Sequence, residues 1–122
     1  MVRDIRHFID GVAFDGASGR FGDVFDPNTG QVRARVQLAT TAEVDRAVQA
    51  AQNAFDGWAS TNPQRRARVM FDFKRLVEAR MDELAELLSS EHGKVIADSR
   101  GDIQRGLEVI EFACGIPHAL KG

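Results

Sequence analysis

Arg105 is the residue whose type and neighbours most favour ligand binding in this chain. It lies in the run Gly-Asp-Ile-Gln-Arg-Gly at residues 101–106, so glycine follows it directly. Glycine inside a helix costs about 1 kcal/mol relative to alanine, which predicts a packing or access reason for Gly106. A guanidinium beside such an uncrowded backbone can hold a carboxylate through two parallel hydrogen bonds. From spacing alone an ordinary surface ion pair is the favoured interpretation, and carboxylate binding is the alternative.

Cys114, the single thiol, is a weak candidate for a nucleophile. A reactive cysteine needs a nearby cation or a helix N-terminus to stabilise the thiolate. The pattern places Cys114 at a helix C-terminus instead, where the helix dipole disfavours negative charge. The sequence therefore predicts burial as a small apolar residue, and we assign no catalytic residue in this chain.

The remaining chemical groups favour structural over catalytic interpretations. The three histidines have no metal-ligand spacing with one another or with the cysteine, and His92 is expected to stabilise the carbonyl end of a helix. Capping and solvated-face functions are favoured over an acid–base pair for three carboxylates, Asp98, Asp102 and Glu108. A solvated face is likewise favoured for three arginines, Arg65, Arg66 and Arg68. No GxGxxG or Walker phosphate loop occurs, so we predict no cofactor-binding residue here. The spacing of the histidines and the cysteine predicts no metal ligand.

The composition is that of an ordinary globular domain. The 122 residues carry a net charge of −2, with 43% hydrophobic and 28% charged residues. These values argue against disorder and against general attraction to nucleic acid or an anionic membrane. The first residues lack a signal-peptide core, and no segment approaches the roughly 20 apolar residues of a membrane span. We expect a cytoplasmic protein with neither a nucleic-acid nor a membrane partner.

The first third of the chain predicts short strands. Residues 6–9 and 12–14 flank Asp10-Gly11, a dipeptide that suits a two-residue hairpin turn. Residues 21–25 form a further predicted strand, and the following Asp-Pro-Asn-Thr-Gly is a strong turn signal. Residues 31–38 then alternate between polar and apolar side chains, which predicts a strand with one wet face.

Beyond this strand the apolar period lengthens, which predicts helices over residues 41–117. Thr40 and Glu43 have the spacing of a capping box, with an apolar stripe of Val44, Ala47, Val48, Ala51, Phe55 and Trp58 behind them. The second helix is predicted to begin at Asn62-Pro63, an N-cap residue followed by the residue best suited to the first helical position.

Two further helices are predicted. A break near Arg80 is expected, with Asp82 as the N-cap of the third helix and Gly93 as its left-handed end. The fourth helix is predicted to start near Asp98 or Asp102 and to end at Pro117. The sequence thus predicts a strand meander, a hairpin plus two strands, followed by about four helices. Such an α+β order leaves apolar stripes uncovered, which indicates burial against a larger chain or a second copy.

The ordered set of motifs resembles the aldehyde dehydrogenase family over nearly the whole chain. The turn at residues 26–30 is similar to that family's Asn-Pro-X-Thr-Gly turn, with Asp26 in place of the usual asparagine. Residues 47–58 are similar to its first helix, and Glu-His-Gly-Lys at residues 91–94 resembles its Glu-X-Gly-Lys helix end. Within the family, residues 101–114 resemble the methylmalonate-semialdehyde group.

The resemblance implies a parent enzyme, and this chain as the N-terminal part of its NAD-binding domain. In such enzymes a cysteine attacks the aldehyde, hydride passes to NAD, and coenzyme A releases an acyl thioester. Malonate or methylmalonate semialdehyde also loses carbon dioxide, which gives acetyl-CoA or propionyl-CoA. An arginine at the position matching Arg105 is expected to hold the substrate carboxylate, which reverses the interpretation from spacing. The nucleophile, general base and main nucleotide-binding residues match nothing in residues 1–122.

The resemblance also implies an α/β parent fold of which this chain is an α+β fragment, and a homo-oligomeric parent. We expect the 122-residue chain alone to be inactive and to bind neither NAD nor coenzyme A. The alternative is a stand-alone helical interaction module, or a self-associating structural fragment, that buries its extra apolar stripe against a partner.

Overall fold

The computed structural model describes residues 2–120, which divide into two units, one ending at Ser60 and the other beginning at Thr61. The first unit contains five strands and one helix, with bounds β1 (Arg3–Ile5), β2 (His7–Ile9), β3 (Val12–Phe14), β4 (Phe21–Phe25), β5 (Val32–Gln37) and α1 (Thr41–Ala59). The second unit contains four helices, with bounds α2 (Pro63–Ala79), α3 (Met81–His92), α4 (Ile96–Cys114) and α5 (Ile116–Ala119). The predicted order of strands followed by helices is confirmed.

The strands of the first unit form two sheets. β2 and β3 pair as the predicted hairpin, with positive φ angles of 53° at Asp10 and 75° at Gly11. The other sheet has the order β1-β5-β4, in which β1 runs parallel and β4 antiparallel to β5. β1 is an addition to the predicted strands. Its three residues carry little alternation, and its position depends on pairing with a strand some thirty residues away, Arg3 opposite Ala34.

The turn between β4 and β5 forms as its residue types predict. The Asp26 carboxylate accepts hydrogen bonds from the backbone N–H groups of Asn28 and Thr29, at 2.8 and 3.0 Å. Gly30 closes the turn with a φ of 71°. The N–H of Asn28, followed by that of Thr29, holds the pKa of Asp26 below its ordinary value, because both bonds favour the charged carboxylate.

Glu43 joins the start of α1 to the loop after β3. Its carboxylate accepts from the Thr40 backbone N–H at 2.7 Å, and the Thr40 hydroxyl accepts from the Glu43 N–H, which confirms the capping box. It also accepts from the Ala17 N–H at 2.8 Å, a contact that the sequence does not predict. These bonds, with that from the Thr40 N–H as the largest cause, lower the pKa of Glu43 from 4.5 to about 2.

This lowered pKa predicts an acid-sensitive contribution to stability. Since the folded pKa lies below the unfolded one, the contribution is complete above about pH 4.5 and is lost as pH falls towards 2. Urea midpoints of the chain measured between pH 7 and pH 2.5 should decline in this window. Glu43→Gln should decline less steeply over the same interval, and a variant with the wild-type slope would contradict the assignment.

The apolar stripe of α1 remains at the surface. None of the helix's residues is buried, and the large side chains Val48, Phe55 and Trp58 are 61%, 65% and 51% exposed. An amphipathic helix draws most of its stability from packing of its apolar face. The expectation of uncovered apolar surface is therefore confirmed for this helix.

The second unit confirms the predicted start of α2, the break at Arg80 and the left-handed end of α3 at Gly93, and it corrects three other helix ends. Asn62 caps α2 through a 2.9 Å bond from the Gln64 N–H, with Pro63 in the first helical turn. α3 begins directly after Arg80 without a side-chain cap, so the prediction of Asp82 as N-cap was wrong. Asp82 instead forms an ion pair with Arg100 on α4, at 2.6 Å.

The bounds of α4 also differ from those predicted. It begins at Ile96 after Val95, which offers no side-chain cap, so a start near Asp98 or Asp102 was wrong. It ends at Cys114 rather than at Pro117, which lies in the first turn of the short α5. Valine provides no N-cap signal, whereas aspartate is a favoured N-cap residue, so the sequence alone predicts a later start than the one observed.

Small side chains, together with Leu107, form the core of the second unit. Ala85 of α3 and Ser99 of α4 are both fully buried, and Ala67, Leu107 and Cys114 are nearly so. The Ser99 and Ser89 hydroxyls are hydrogen-bonded at 2.7 Å, which satisfies the buried polar group. The close contact between α3 and α4 therefore requires small side chains at Ala85 and Ser99.

Replacement of glycine by alanine should have opposite effects on stability at two positions of this unit. Gly93 ends α3 with a φ of 75°, so Gly93→Ala should destabilise the chain by about 1 kcal/mol. Gly106 lies inside α4 with nothing within 4 Å of an added Cβ, so Gly106→Ala should stabilise it by about 0.5–1 kcal/mol. Chemical denaturation of both variants measures the two signs, and destabilisation by Gly106→Ala would contradict the open environment.

Candidate functional site

Arg105 lies on α4 with 72% of its side chain exposed. Its Nη2 atom donates to Oδ1 of Asp102, one turn earlier on the same helix. The ion pair expected from spacing alone is thus present, and the guanidinium is nevertheless open to solvent. Neither fact tests the expectation that Arg105 holds a substrate carboxylate.

Asp102 is shared between two cations. Its second oxygen, Oδ2, accepts a hydrogen bond from Nζ of Lys94, in the connection between α3 and α4. Gly93 directs the chain into this connection through its left-handed conformation. Lys94 and Asp102 are 28% and 35% exposed, so this end of the cluster is the more buried. We call Lys94, Asp102 and Arg105 the charged triad.

The triad carries a net positive charge. The hydrogen bond from Lys94, and after it that from Arg105, lowers the pKa of Asp102, because both bonds favour the charged carboxylate. Two cations therefore share one anion, and one positive charge within the triad remains uncompensated. A guanidinium has five N–H donors on three nitrogens, so donors remain for a second carboxylate.

The glycines beside Arg105 leave space around it. A Cβ at Gly101 would lie 3.9 Å from Nη1 of Arg105, and one at Gly106 would have no neighbour within 4 Å. The described residues therefore show no packing reason for Gly106. The open surface agrees with the other interpretation, access to the guanidinium.

The other candidates occupy structural positions. Cys114 is the last residue of α4 and is 7% exposed, which confirms its predicted burial. It lines a groove of about 430 Å³ together with Arg68, Glu111 and His118, and Arg105 is not among the lining residues. His92 lies in the last turn of α3, as expected.

Two predictions about charged side chains need correction. Asp102 is neither a helix cap nor a purely solvated group, because it is the centre of the triad. Arg66 does not lie wholly on a solvated face, since its Nε is buried without a hydrogen-bond partner among residues 2–120. Over the same residues, no group of three or more histidine, cysteine, aspartate or glutamate side chains could hold a metal ion.

The helices of the described part do not include a membrane span. None of those within residues 2–120 combines the length and the apolar content that crossing a bilayer requires.

Comparison with known proteins places these observations in a family. The sequence model of the Aldehyde dehydrogenase family matches residues 14–122, which is well over half of the chain. The chain therefore belongs to the aldehyde dehydrogenase family. The family resemblance drawn from the motifs is thus confirmed.

Individual relatives point to one group within the family. A malonate-semialdehyde dehydrogenase of Bacillus pumilus is 41% identical over 99% of this chain and 25% of its own length. Among solved structures, a Sinorhizobium meliloti protein assigned as a methylmalonate-semialdehyde dehydrogenase, in complex with NAD, is similar with a TM-score of 0.90 and 53% identity. The structure of the methylmalonate-semialdehyde dehydrogenase of Oceanimonas doudoroffii is similar with a TM-score of 0.89 and 44% identity. Each of these two alignments covers 97% of this chain and 24% of the other. This chain thus spans about a quarter of the length of these relatives.

Proposed function

We propose that this chain is the N-terminal part of an NAD-dependent, coenzyme A-acylating dehydrogenase of malonate or methylmalonate semialdehyde. The named relatives, at 41–53% identity, support the substrate class. The chain would form the N-terminal part of the NAD-binding domain, and the catalytic and oligomerisation parts would belong to the rest of the parent. The parent would be a cytoplasmic homo-oligomer that gives acetyl-CoA or propionyl-CoA.

The observation that carries the proposal is the exposed guanidinium of Arg105 within a triad of net charge +1. Malonate and methylmalonate semialdehydes differ from simple aldehydes by a carboxylate. A positive group with free donors stabilises that carboxylate and thereby orients the aldehyde carbon. Arg105 would bind the substrate at its unreactive end and take no part in bond cleavage.

The cofactors would be held elsewhere in the parent. NAD supplies a hydride acceptor when bound, and coenzyme A supplies the thiol that releases the acyl group. A phosphate-binding site would use a glycine-rich loop that leads from a strand into a helix. The loop between β5 and α1 contains no glycine, which supports the expectation that this chain alone binds neither cofactor. The 122-residue chain alone is expected to be inactive.

The test compares the parent and the chain in one assay. With NAD, coenzyme A and malonate semialdehyde, the full-length parent should form NADH and acetyl-CoA in equal amounts, and the 122-residue chain should form neither. Free acid in place of the thioester would contradict coenzyme A acylation. NADH formation by the short chain would contradict the assignment of the catalytic groups to the rest of the parent.

The exposed stripe of α1 favours one other candidate, an interaction module that functions without the enzyme. DNA that continues past codon 122 into a nucleophilic cysteine and a nucleotide-binding region would favour the enzyme. A stop codon there would favour the module or a structural fragment. In either case the short chain should self-associate through this stripe, and a monomer by light scattering at high concentration would contradict that expectation.

A further inference from the structure

Lys94 pairs with the same carboxylate as Arg105, that of Asp102. It lies outside α4, in the α3–α4 connection, and reaches the Asp102 oxygen that Arg105 leaves free. The two cations therefore do not compete for one oxygen atom. Each neutralises part of the same carboxylate.

We propose that Lys94 is a positioning residue for substrate selection, which offsets the charge of Asp102 and so leaves the charge of Arg105 available to a substrate carboxylate. This inference rests on the proposed function, in which Arg105 binds that carboxylate.

The net charge of the triad depends on Lys94. With Lys94 present the sum is +1, because two cations face one anion. Without Lys94, Asp102 and Arg105 form a closed pair of net charge zero. An incoming carboxylate would then meet the repulsion of Asp102 together with the attraction of Arg105, which weakens binding at short range. Because Arg105 is largely exposed, water and salt screen the effect, and we expect a moderate change.

The exposed fractions of the three side chains support an indirect effect of Lys94 on the substrate. Lys94 is 28% exposed and Asp102 is 35% exposed, whereas Arg105 is 72% exposed. The lysine and the aspartate thus form the less exposed base of the triad, and the guanidinium forms its outer end. A substrate would meet Arg105 first, and Lys94 would act on it only through Asp102.

The experiment uses the full-length parent and two substrates of similar size, malonate semialdehyde and propanal. Lys94→Met should raise KM for malonate semialdehyde roughly threefold to tenfold and leave kcat and the KM for propanal unchanged. Lys94→Arg, which retains the charge, should keep the wild-type KM for both substrates. The effect of Lys94→Met should shrink as salt concentration rises.

A double variant separates charge from structure. Lys94→Met combined with Asp102→Asn removes one positive and one negative charge, so the triad returns to +1. The KM for malonate semialdehyde should return to within about twofold of wild type if charge governs binding. A double variant as poor as, or poorer than, Lys94→Met would overturn the proposal. Equal loss with propanal in Lys94→Met would overturn it as well, because it would show that Lys94 only holds the helix connection.

The failure of this inference is distinguishable from failure of the proposed function. If Arg105→Ala selectively impairs malonate semialdehyde but Lys94→Met does not, only the part assigned to Lys94 is wrong. If Arg105→Ala impairs both substrates equally, carboxylate binding by Arg105 is wrong and the inference about Lys94 is overturned with it.

Discussion

Arg105→Ala in the full-length parent is expected to lower kcat/KM for malonate semialdehyde roughly ten- to hundredfold and to spare propanal. This loss of activity corresponds to the removal of hydrogen bonds between charged groups, which are worth about 1.5–3 kcal/mol. Propanal has no carboxylate, so it would not use the guanidinium that is exposed on α4. Steady-state kinetics with both aldehydes measure the ratio directly.

Arg100 offers a matched control on the same helix. It is also exposed and paired with an aspartate, Asp82, so Arg100→Ala removes a comparable charge and ion pair. We expect this variant to have the wild-type ratio of activities towards the two aldehydes. A selective loss in Arg100→Ala of the same size as in Arg105→Ala would point to the general charge of α4 rather than to Arg105. Equal loss of both substrates in Arg105→Ala would indicate a structural function.

Ala85→Leu is expected to destabilise the second unit strongly. Ala85 has no exposed surface and lies in α3, which packs against α4 where Ser99 is also fully buried. Three additional carbon atoms cannot be accommodated without separating the helices or forcing side chains off their rotamers. Such overpacking costs about 1–3 kcal/mol, and occasionally more. The midpoint of urea unfolding of the 122-residue chain should fall accordingly.

Ala97→Leu is the control for this substitution, because Ala97 lies on the exposed side of α4. The same atoms added there should change stability by no more than about 0.5 kcal/mol. Similar midpoints for both leucine variants would mean that the α3–α4 contact is loose, and would contradict the close packing described for Ala85.

Local chemistry made much of the fold predictable. Three helix ends form as predicted, because residue types that favour caps stand at each of them. They are Thr40 with Glu43, Asn62 with Pro63, and Gly93. Asp10-Gly11 likewise determines the hairpin. The predictions failed where no capping or turn residue marks the element. β1 is defined only by pairing with β5, and α4 begins after a valine that makes no capping bond.

The candidate site was predictable in part. The sequence predicts a surface ion pair for Arg105, and the structure forms it with Asp102, three residues earlier on the same helix. Lys94 could not be placed beside them from the sequence, because its position depends on the path of the chain between α3 and α4. The substrate-binding assignment of Arg105 came from the family resemblance and stays a prediction.

The central claim is that Arg105 binds the carboxylate of an acidic aldehyde, and a structure of the full-length parent with a bound analogue tests it most directly. 3-Hydroxypropanoate retains the carboxylate of malonate semialdehyde and lacks its reactive carbonyl. We predict its carboxylate within about 3 Å of the Arg105 guanidinium nitrogens, with Asp102 still held by Lys94. An analogue bound in the active site with its carboxylate on other groups, and Arg105 remote from it, would contradict the claim.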